Sequence, residues 1–307
     1  LGMMTRQLKL GMIGLDTSHV SAFAALLNDA ANPYHVPGGT IQVVYPGIAS
    51  EDFEISYGRV RTFTDEMVNK YNARLVDSEQ AVAEECDAIL LLSVDGRVHL
   101  EQFRKIAAFG KPVFIDKPLA VSTEQAREIM ELVKRYQVPF MSCSSLRYGE
   151  ALTEQLQRTE NGSIRGADCF GPMMLQPTQP GLYWYGIHAV EMLYRVMGQG
   201  CQSVTATKNE DYDVIVGVWK DGRIGTIRGN RVGNYNYGVL IHWEKEVGFA
   251  DINAHPKPMY ASMLEHIMHL FQSGESNIDL DETLEIMHFI ECANESRITG
   301  KTVRLCL

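Results

Sequence analysis

The sequence predicts a two-domain α/β protein, with a doubly wound parallel sheet first and then an α+β domain carrying a largely antiparallel open sheet. Three observations carry this. From Leu8 to Cys143, apolar runs of strand length alternate with helix-periodic segments, as the strand–helix–strand units of a parallel sheet require. Ala88-Ile89-Leu90-Leu91-Leu92 is apolar throughout, the signature of a strand buried on both faces. Beyond Cys201 the pattern changes to the two-residue alternation of half-exposed antiparallel strands.

Length and charge bound the function. At 307 residues the chain suits two domains of about 150 residues each. We place them at 1–146 and 147–307, with the boundary near Ser144 to Glu150. A hydrophobic fraction of 45% with 21% charged residues is ordinary globular composition. The net charge of −10 argues against nucleic-acid and anionic-membrane partners, which need a basic footprint. A small-molecule substrate is expected instead. Six cysteines (Cys86, Cys143, Cys169, Cys201, Cys292, Cys306) show no paired spacing, so they read as reduced core residues of a cytoplasmic protein. No apolar run approaches the roughly 18 residues of a membrane helix. Leu1 and Gly2, ahead of Met3, are read as a cloning remnant and set aside.

The elements follow in order. Leu8 to Gly14 is a short apolar strand ending in glycine, and Leu15-Asp16-Thr17-Ser18 is the turn after it. From His19 a helix buries Val20, Phe23, Leu26 and Leu27, with Asp16, Thr17 or Ser18 as its cap. Strand, glycine turn and helix N-terminus together form the opening of a nucleotide-binding unit, where backbone N–H groups and the helix dipole hold a pyrophosphate. If G-x-G-x-x-G is laid on from Gly14, Asp16 and His19 stand at the second and third glycine places. Asp16 is expected to bring negative charge towards that anion site, at a cost of about 1–4 kcal/mol at contact distance. Ile41 to Tyr45 is the second strand, and Tyr45-Pro46-Gly47 offers no acid for an adenosine ribose. Arg59 and Arg61 suit either a 2′-phosphate or solvent, so the choice between NAD and NADP stays open.

Helices are expected to start at Thr64-Asp65-Glu66 and at Ser78, and another to run from Arg97 to Phe109 and stop at Gly110. Ser122-Thr123-Glu124-Gln125 reads as a capping box before Ala126, Ile129, Met130 and Val133. Pro139 to Cys143 closes the first sheet. In the second half the strands are Cys201–Lys208, Tyr212–Trp219, Arg223–Arg228 and Tyr237–Trp243. Asp221-Gly222 reads as a two-residue hairpin turn with both residues at positive φ. Helices near Tyr260–Gln272 and Asp281–Arg297 end the chain. His266 and His269 lie one turn apart without a third ligand, so no metal is expected.

The chemistry is placed on Val113-Phe114-Ile115-Asp116-Lys117-Pro118-Leu119-Ala120. Pro118 stops this strand and biases Lys117 to extended backbone. The ammonium then leaves the carboxyl edge of the sheet, where ligands of such sheets bind.

Five blocks stand in a telling order: Val94-Asp95-Gly96-Arg97-Val98-His99, Phe109-Gly110-Lys111-Pro112-Val113, Asp116-Lys117-Pro118-Leu119-Ala120, Ser144-Ser145-Leu146-Arg147-Tyr148 and Gly162-Ser163-Ile164-Arg165-Gly166. Tyr185-Gly186-Ile187-His188 follows, and the match ends with Asp281 to Leu305. Over most of its length the chain resembles the Gfo/Idh/MocA family of NAD(P)-dependent sugar oxidoreductases. That family's blocks read T-P-N-x-x-H, A-G-K-x-V, E-K-P-L-A, an arginine after the next strand, and G-x-I-G. The resemblance implies a Rossmann-type first domain with the site in the cleft between the domains. It implies NAD or NADP held by Gly14, Leu15, Asp16, Thr17, Ser18, His19, Ser93, Val94, Asp95, His99, Asp116 and Lys117. It makes Lys117 the residue that contacts the substrate hydroxyl and the nicotinamide side, and His188 the acid/base residue. Arg147, Tyr148, Tyr183, Trp184 and Tyr185 are candidates to bind substrate. A homodimer or homotetramer is expected.

Three positions depart from the family pattern: Asp16 in the glycine turn, Val94-Asp95-Gly96 in place of T-P-N, and Trp184 where an aspartate four residues before the histidine is usual. An indole donates one hydrogen bond or stacks. The expected function is therefore a dehydrogenase acting on a sugar, polyol or related hydroxy compound. The alternative is an altered member acting as a lyase, hydrolase or isomerase, or as a ligand-binding regulatory protein.

Overall fold

The fold comes from a computed structural model, which describes residues 6–307. Leu1 and Gly2, read above as a remnant, lie outside the described residues. The chain forms two compact units: one holds the chain up to Ala120 with Glu124–Cys143 and Tyr260–Asp279, the other Val121–Thr123, Ser144–Met259 and Leu280–Leu307. The chain therefore does not divide at a single cut, because the helix from Met259 to Ser273 returns nearly all its residues to the first unit.

The first unit is built on six parallel strands, β1 (Leu8–Ile13), β2 (Gly39–Tyr45), β3 (Arg74–Leu75), β4 (Ala88–Leu91), β5 (Val113–Asp116) and β6 (Phe140–Cys143), in the order β3-β2-β1-β4-β5-β6. The order reverses between β1 and β4, which makes the crevice beyond their carboxyl ends the binding position of such a sheet. All four residues of β4 and of β5 are buried, as an apolar run covered on both faces must be. Helices α1 (His19–Leu27), α2 (Glu54–Tyr57), α3 (Val60–Asn69), α4 (Glu79–Glu85), α5 (His99–Ile106) and α6 (Thr123–Tyr136) connect the strands. Ser78 caps α4 by accepting from the Ala81 N–H. Gly110 ends the turn after α5 in the left-handed region at φ 65°.

One start differs from expectation. Thr64-Asp65-Glu66 lies inside α3, which begins at Val60 after Arg59. The Thr64 hydroxyl donates to the Val60 carbonyl, so it back-bonds within the helix instead of capping it.

In the second unit α7 (Glu150–Leu156) precedes β7 (Ile164–Pro172), and α8 (Gly186–Met197) precedes β8 (Cys201–Lys208), β9 (Tyr212–Trp219), β10 (Ile224–Asn230), β11 (Gly238–Trp243) and β12 (Val247–Asp251). α9 is the helix Met259–Ser273 already described, and α10 (Leu280–Thr299) and β13 (Val303–Arg304) complete the chain. The sheet order is β12-β11-β7-β10-β9-β8-β13. β7 is its inner strand, parallel to β10 and antiparallel to β11. The hairpin between β9 and β10 is not the two-residue turn expected. Gly222 has φ 91° but Asp221 is not at positive φ. The Gly222 N–H bonds to the Trp219 carbonyl and the Trp219 N–H to that of Arg223, a turn closed by one left-handed glycine.

None of the six cysteines is in a disulfide; five are buried and Cys306 is exposed. Among the described residues no helix is long and apolar enough to cross a membrane.

Candidate functional site

In the first unit the crevice starts at Gly14. Its φ is +85°, and a Cβ there would meet the Ser93 hydroxyl at 2.2 Å, so only glycine lets the β1 exit press on the β4 exit. The Gly14 and Leu15 N–H groups donate to the carbonyls of Tyr45 and Pro46 at 2.9 and 3.0 Å. This prolongs the β1–β2 ladder and delays the helix to His19.

Asp16 does not face the anion position. Its carboxylate is buried and accepts from the Ser56 hydroxyl at 2.7 Å and the Val94 N–H at 2.9 Å. Burial pushes its pKa above the usual value, with the bonds from Ser56 and Val94 opposing. The charge expected to oppose a phosphate is thus turned into the protein, and that expectation is corrected. The Arg59 guanidinium donates to the Asp16 carbonyl at 3.1 Å, so Arg59 is no free surface arginine.

The other predicted cofactor residues divide. Thr17 is buried and its hydroxyl accepts from the His19 N–H at 3.2 Å, while Ser18 is exposed at the N-cap without a side-chain cap bond. Leu15 is fully buried, so it can offer only backbone. Ser93 donates to Gln102 at 2.8 Å. Asp95 accepts from Ser50 at 2.7 Å and from the Arg97 N–H at 2.9 Å, and Arg97 forks onto Asp52 as well. His99 is fully buried, with Nε2 2.6 Å from the Ser93 carbonyl and Nδ1 2.8 Å from that of Pro118. It braces the β4 and β5 exits, with no ring edge left for a nicotinamide.

Lys117 follows β5 and is half-buried, and its bond to Pro118 is cis. Burial pushes its ammonium pKa down and the Arg59 cation adds to this, against the attraction of Asp116. Asp116 accepts from the Lys117 N–H at 2.9 Å and from His19 Nδ1 at 2.5 Å. Burial alone would raise the Asp116 pKa, but His19 and Lys117 outweigh it and hold it below the usual carboxylate value.

In the second unit His188 sits in the first turn of α8. Its Nδ1 is 2.6 Å from the Ser144 hydroxyl, which also accepts from the Leu146 N–H. Ser144 Oγ can accept from His188 Nδ1–H, the tautomer that leaves Nε2 with the lone pair a base needs. Trp184 stacks on Tyr185 at 5.8 Å between ring centres, and Tyr185 and Tyr237 meet His188 edge-on at 5.5 and 5.9 Å.

Four of the five predicted substrate residues are buried, Trp184 among them. Arg147 is buried, paired with Glu191 at 2.8 Å and with Glu282. Tyr148 is buried under the Arg195 guanidinium at 5.5 Å. The Tyr183 hydroxyl is spent on the Met287 carbonyl at 2.9 Å, and its ring is buried. Sequence reasoning missed Ser56, Ser144, Tyr237 and Tyr260. Only the Ser144-Ser145-Leu146-Arg147 block carried any signal for one of them.

Residues 10–143 match the GFO_IDH_MocA model, described as the oxidoreductase family with the NAD-binding Rossmann fold. The whole chain has the fold of solved relatives. A scyllo-inositol dehydrogenase from Lactobacillus casei with bound NAD(H) and scyllo-inositol superposes with a TM-score of 0.80 at 12% identity, covering 98% of this chain and 99% of that one. GenD2 from gentamicin A biosynthesis, in complex with NAD, gives 0.78 at 16% identity over 100% and 98%. A probable dehydrogenase from Thermotoga maritima gives 0.79 at 19% over 97% and 99%. No curated protein sequence matches the chain. The cradle fits the cofactor of this family. Gly14 is pressed on Ser93 as a close backbone approach requires, α1 starts just beyond, and the one carboxylate of the turn points away.

Proposed function

We propose that the protein is an NAD(P)-dependent oxidoreductase acting on a sugar, polyol or related hydroxy compound. The observation that carries this reading is the glycine turn after β1, in a domain that matches an NAD-binding family, with Asp16 bonded inward to Ser56 and Val94. The named relatives support the substrate class, since one is solved with scyllo-inositol and NAD(H) bound. The bound nicotinamide supplies the hydride acceptor. Lys117 holds the substrate oxygen and stabilises the negative charge that develops on it. His188 exchanges the hydroxyl proton, oriented by Ser144. Tyr185 and Tyr237, both half-buried, offer aromatic faces to a ring or polyol chain, with Trp184 stacked behind Tyr185. A homo-oligomer in the cytoplasm belongs to the same reading.

A second reading is a non-redox enzyme or a ligand-binding regulator. One observation favours it: Ser50 to Asp95, Ser56 to Asp16 and Arg97 to Asp52 tie the loops after β1, β2 and β4 to one another across the crevice. A screen of sugars and polyols followed by nicotinamide absorbance separates the two. Lys117→Ala should lower kcat on any substrate found by at least about a hundredfold. Unchanged turnover removes Lys117 from the chemistry.

A further inference from the structure

We infer that Tyr260, His19 and Asp116 form a proton relay whose delivery end is the Tyr260 hydroxyl, a further acid/base site in addition to Lys117 and His188. The three residues come from the start of α9, the start of α1 and the end of β5, and all belong to the first unit. His19 Nδ1 lies 2.5 Å from Asp116, and His19 Nε2 lies 2.9 Å from the Tyr260 oxygen. Asp116 is the buried end of the line, and His19 and Tyr260 are both half-buried. The Asp116 side chain is 5% exposed and that of His19 13%.

The protons follow from the chemistry. An ionised carboxylate only accepts, so His19 Nδ1 carries the proton facing Asp116. His19 Nε2 then accepts the Tyr260 O–H in the neutral ring, or donates to the phenolate in the imidazolium. Base, orienting acid and a hydroxyl in hydrogen-bond reach are the parts of an activated oxygen. The imidazole plane is held on one face by Phe23, stacked at 5.4 Å and 17°, and on its edge by the Tyr260 ring at 4.8 Å and 63°. A histidine–carboxylate pair is therefore present at the residue next to Lys117.

As chemistry on a hydroxy compound, the inference deepens the proposed function and rests on it; the relay itself does not. In the oxidation direction the relay is a second route for the one hydroxyl proton: when it does not go to His188, the substrate O–H proton passes to the Tyr260 oxygen while the Tyr260 proton passes to His19 Nε2. The C–H bond breaks with its electron pair leaving as hydride to the nicotinamide, and the C=O bond forms. Asp116 neutralises the imidazolium. The charged and titratable groups about His19 include Asp116 on β5 and Tyr260 on α9, with Lys117 beyond Asp116 and Arg59 acting on Lys117.

The test is NMR of the full chain labelled with [13Cζ]tyrosine and 15N-histidine, with Tyr260→Phe assigning the signal. Tyr260 Cζ should show a step at the same pH as the His19 ring nitrogens, and His19→Gln should abolish it. Asp116→Asn should move the shared step. A Tyr260 signal that stays flat through the His19 titration, or is unaltered in His19→Gln, overturns the relay. On any polyol that turns over, Tyr260→Phe should lower kcat by about a hundredfold with NADH binding retained, and His19→Gln should shift the pH limb of kcat. Unchanged kcat in Tyr260→Phe overturns its acid/base role. If no polyol turns over, the dehydrogenase reading falls alone and the NMR result still decides the relay.

Discussion

Asp16 receives a hydrogen bond from Ser56 at 2.7 Å, and this one contact reverses the meaning of an acid in a glycine turn. A carboxylate aimed at a phosphate would oppose binding, whereas one turned inward ties the β1 exit to α2. The second oxygen takes the Val94 N–H, so the β4 exit is held as well.

The bond has a pH signature. Burial raises the Asp16 pKa above 3.8, with the Ser56 and Val94 bonds opposing. A folded-state pKa above the unfolded one means that the neutral acid is favoured by the fold. Its contribution is full below 3.8 and is lost as pH rises through the folded-state value. Asp16→Asn should therefore gain stability relative to the wild type as pH rises from about 4 to 7. Thermal melts across that range check it, and a difference that does not vary with pH contradicts it.

Arg147 should act on stability and not on substrate affinity. Arg147→Ala leaves Glu191 and Glu282 without their cation, and the loss should be about 3–5 kcal/mol in urea unfolding. Arg147→Lys should recover only part of this, because one ammonium cannot fork onto two carboxylates as a guanidinium does. A variant of normal stability with a raised KM would return Arg147 to the substrate.

Ser144 should matter through His188. Ser144→Ala removes the partner at 2.6 Å and should lower kcat about tenfold, the worth of one hydrogen bond of roughly 1.4 kcal/mol, with KM little changed. The 15N shifts of His188 should report a changed tautomer ratio. Unaltered kcat and shifts would leave Ser144 no positioning role.

Apart from β3, two exposed residues, the first sheet was legible in the sequence because its strands are continuous apolar runs between capped helices, as Ala88 to Leu91 and the Ser78 cap show. The inner strand β7 was not. Gly166, Gly171 and Pro172 interrupt it, and Gly171 is needed because the Tyr237 ring would meet a Cβ there at 2.4 Å. The site was legible as residue types and order, not as direction. Nothing in the turn Leu15 to Ser18 says that Asp16 faces inward, since Ser56 lies 40 residues away. Likewise Arg147 is a charge that reads as a ligand contact until Glu191 and Glu282 are seen beside it. His19 and Tyr260, 241 residues apart, meet only because α9 returns to the first unit.

Calorimetric titration of the nucleotide-free protein with NAD⁺, NADH, NADP⁺ and NADPH tests the central claim most directly. The inward carboxylate predicts binding of one of the four with a Kd of about 1–100 μM, in the range of about −8 to −5 kcal/mol. No heat up to about millimolar concentration of all four would mean that the ties from Ser50, Ser56 and Arg97 close the crevice, and would contradict the dehydrogenase reading.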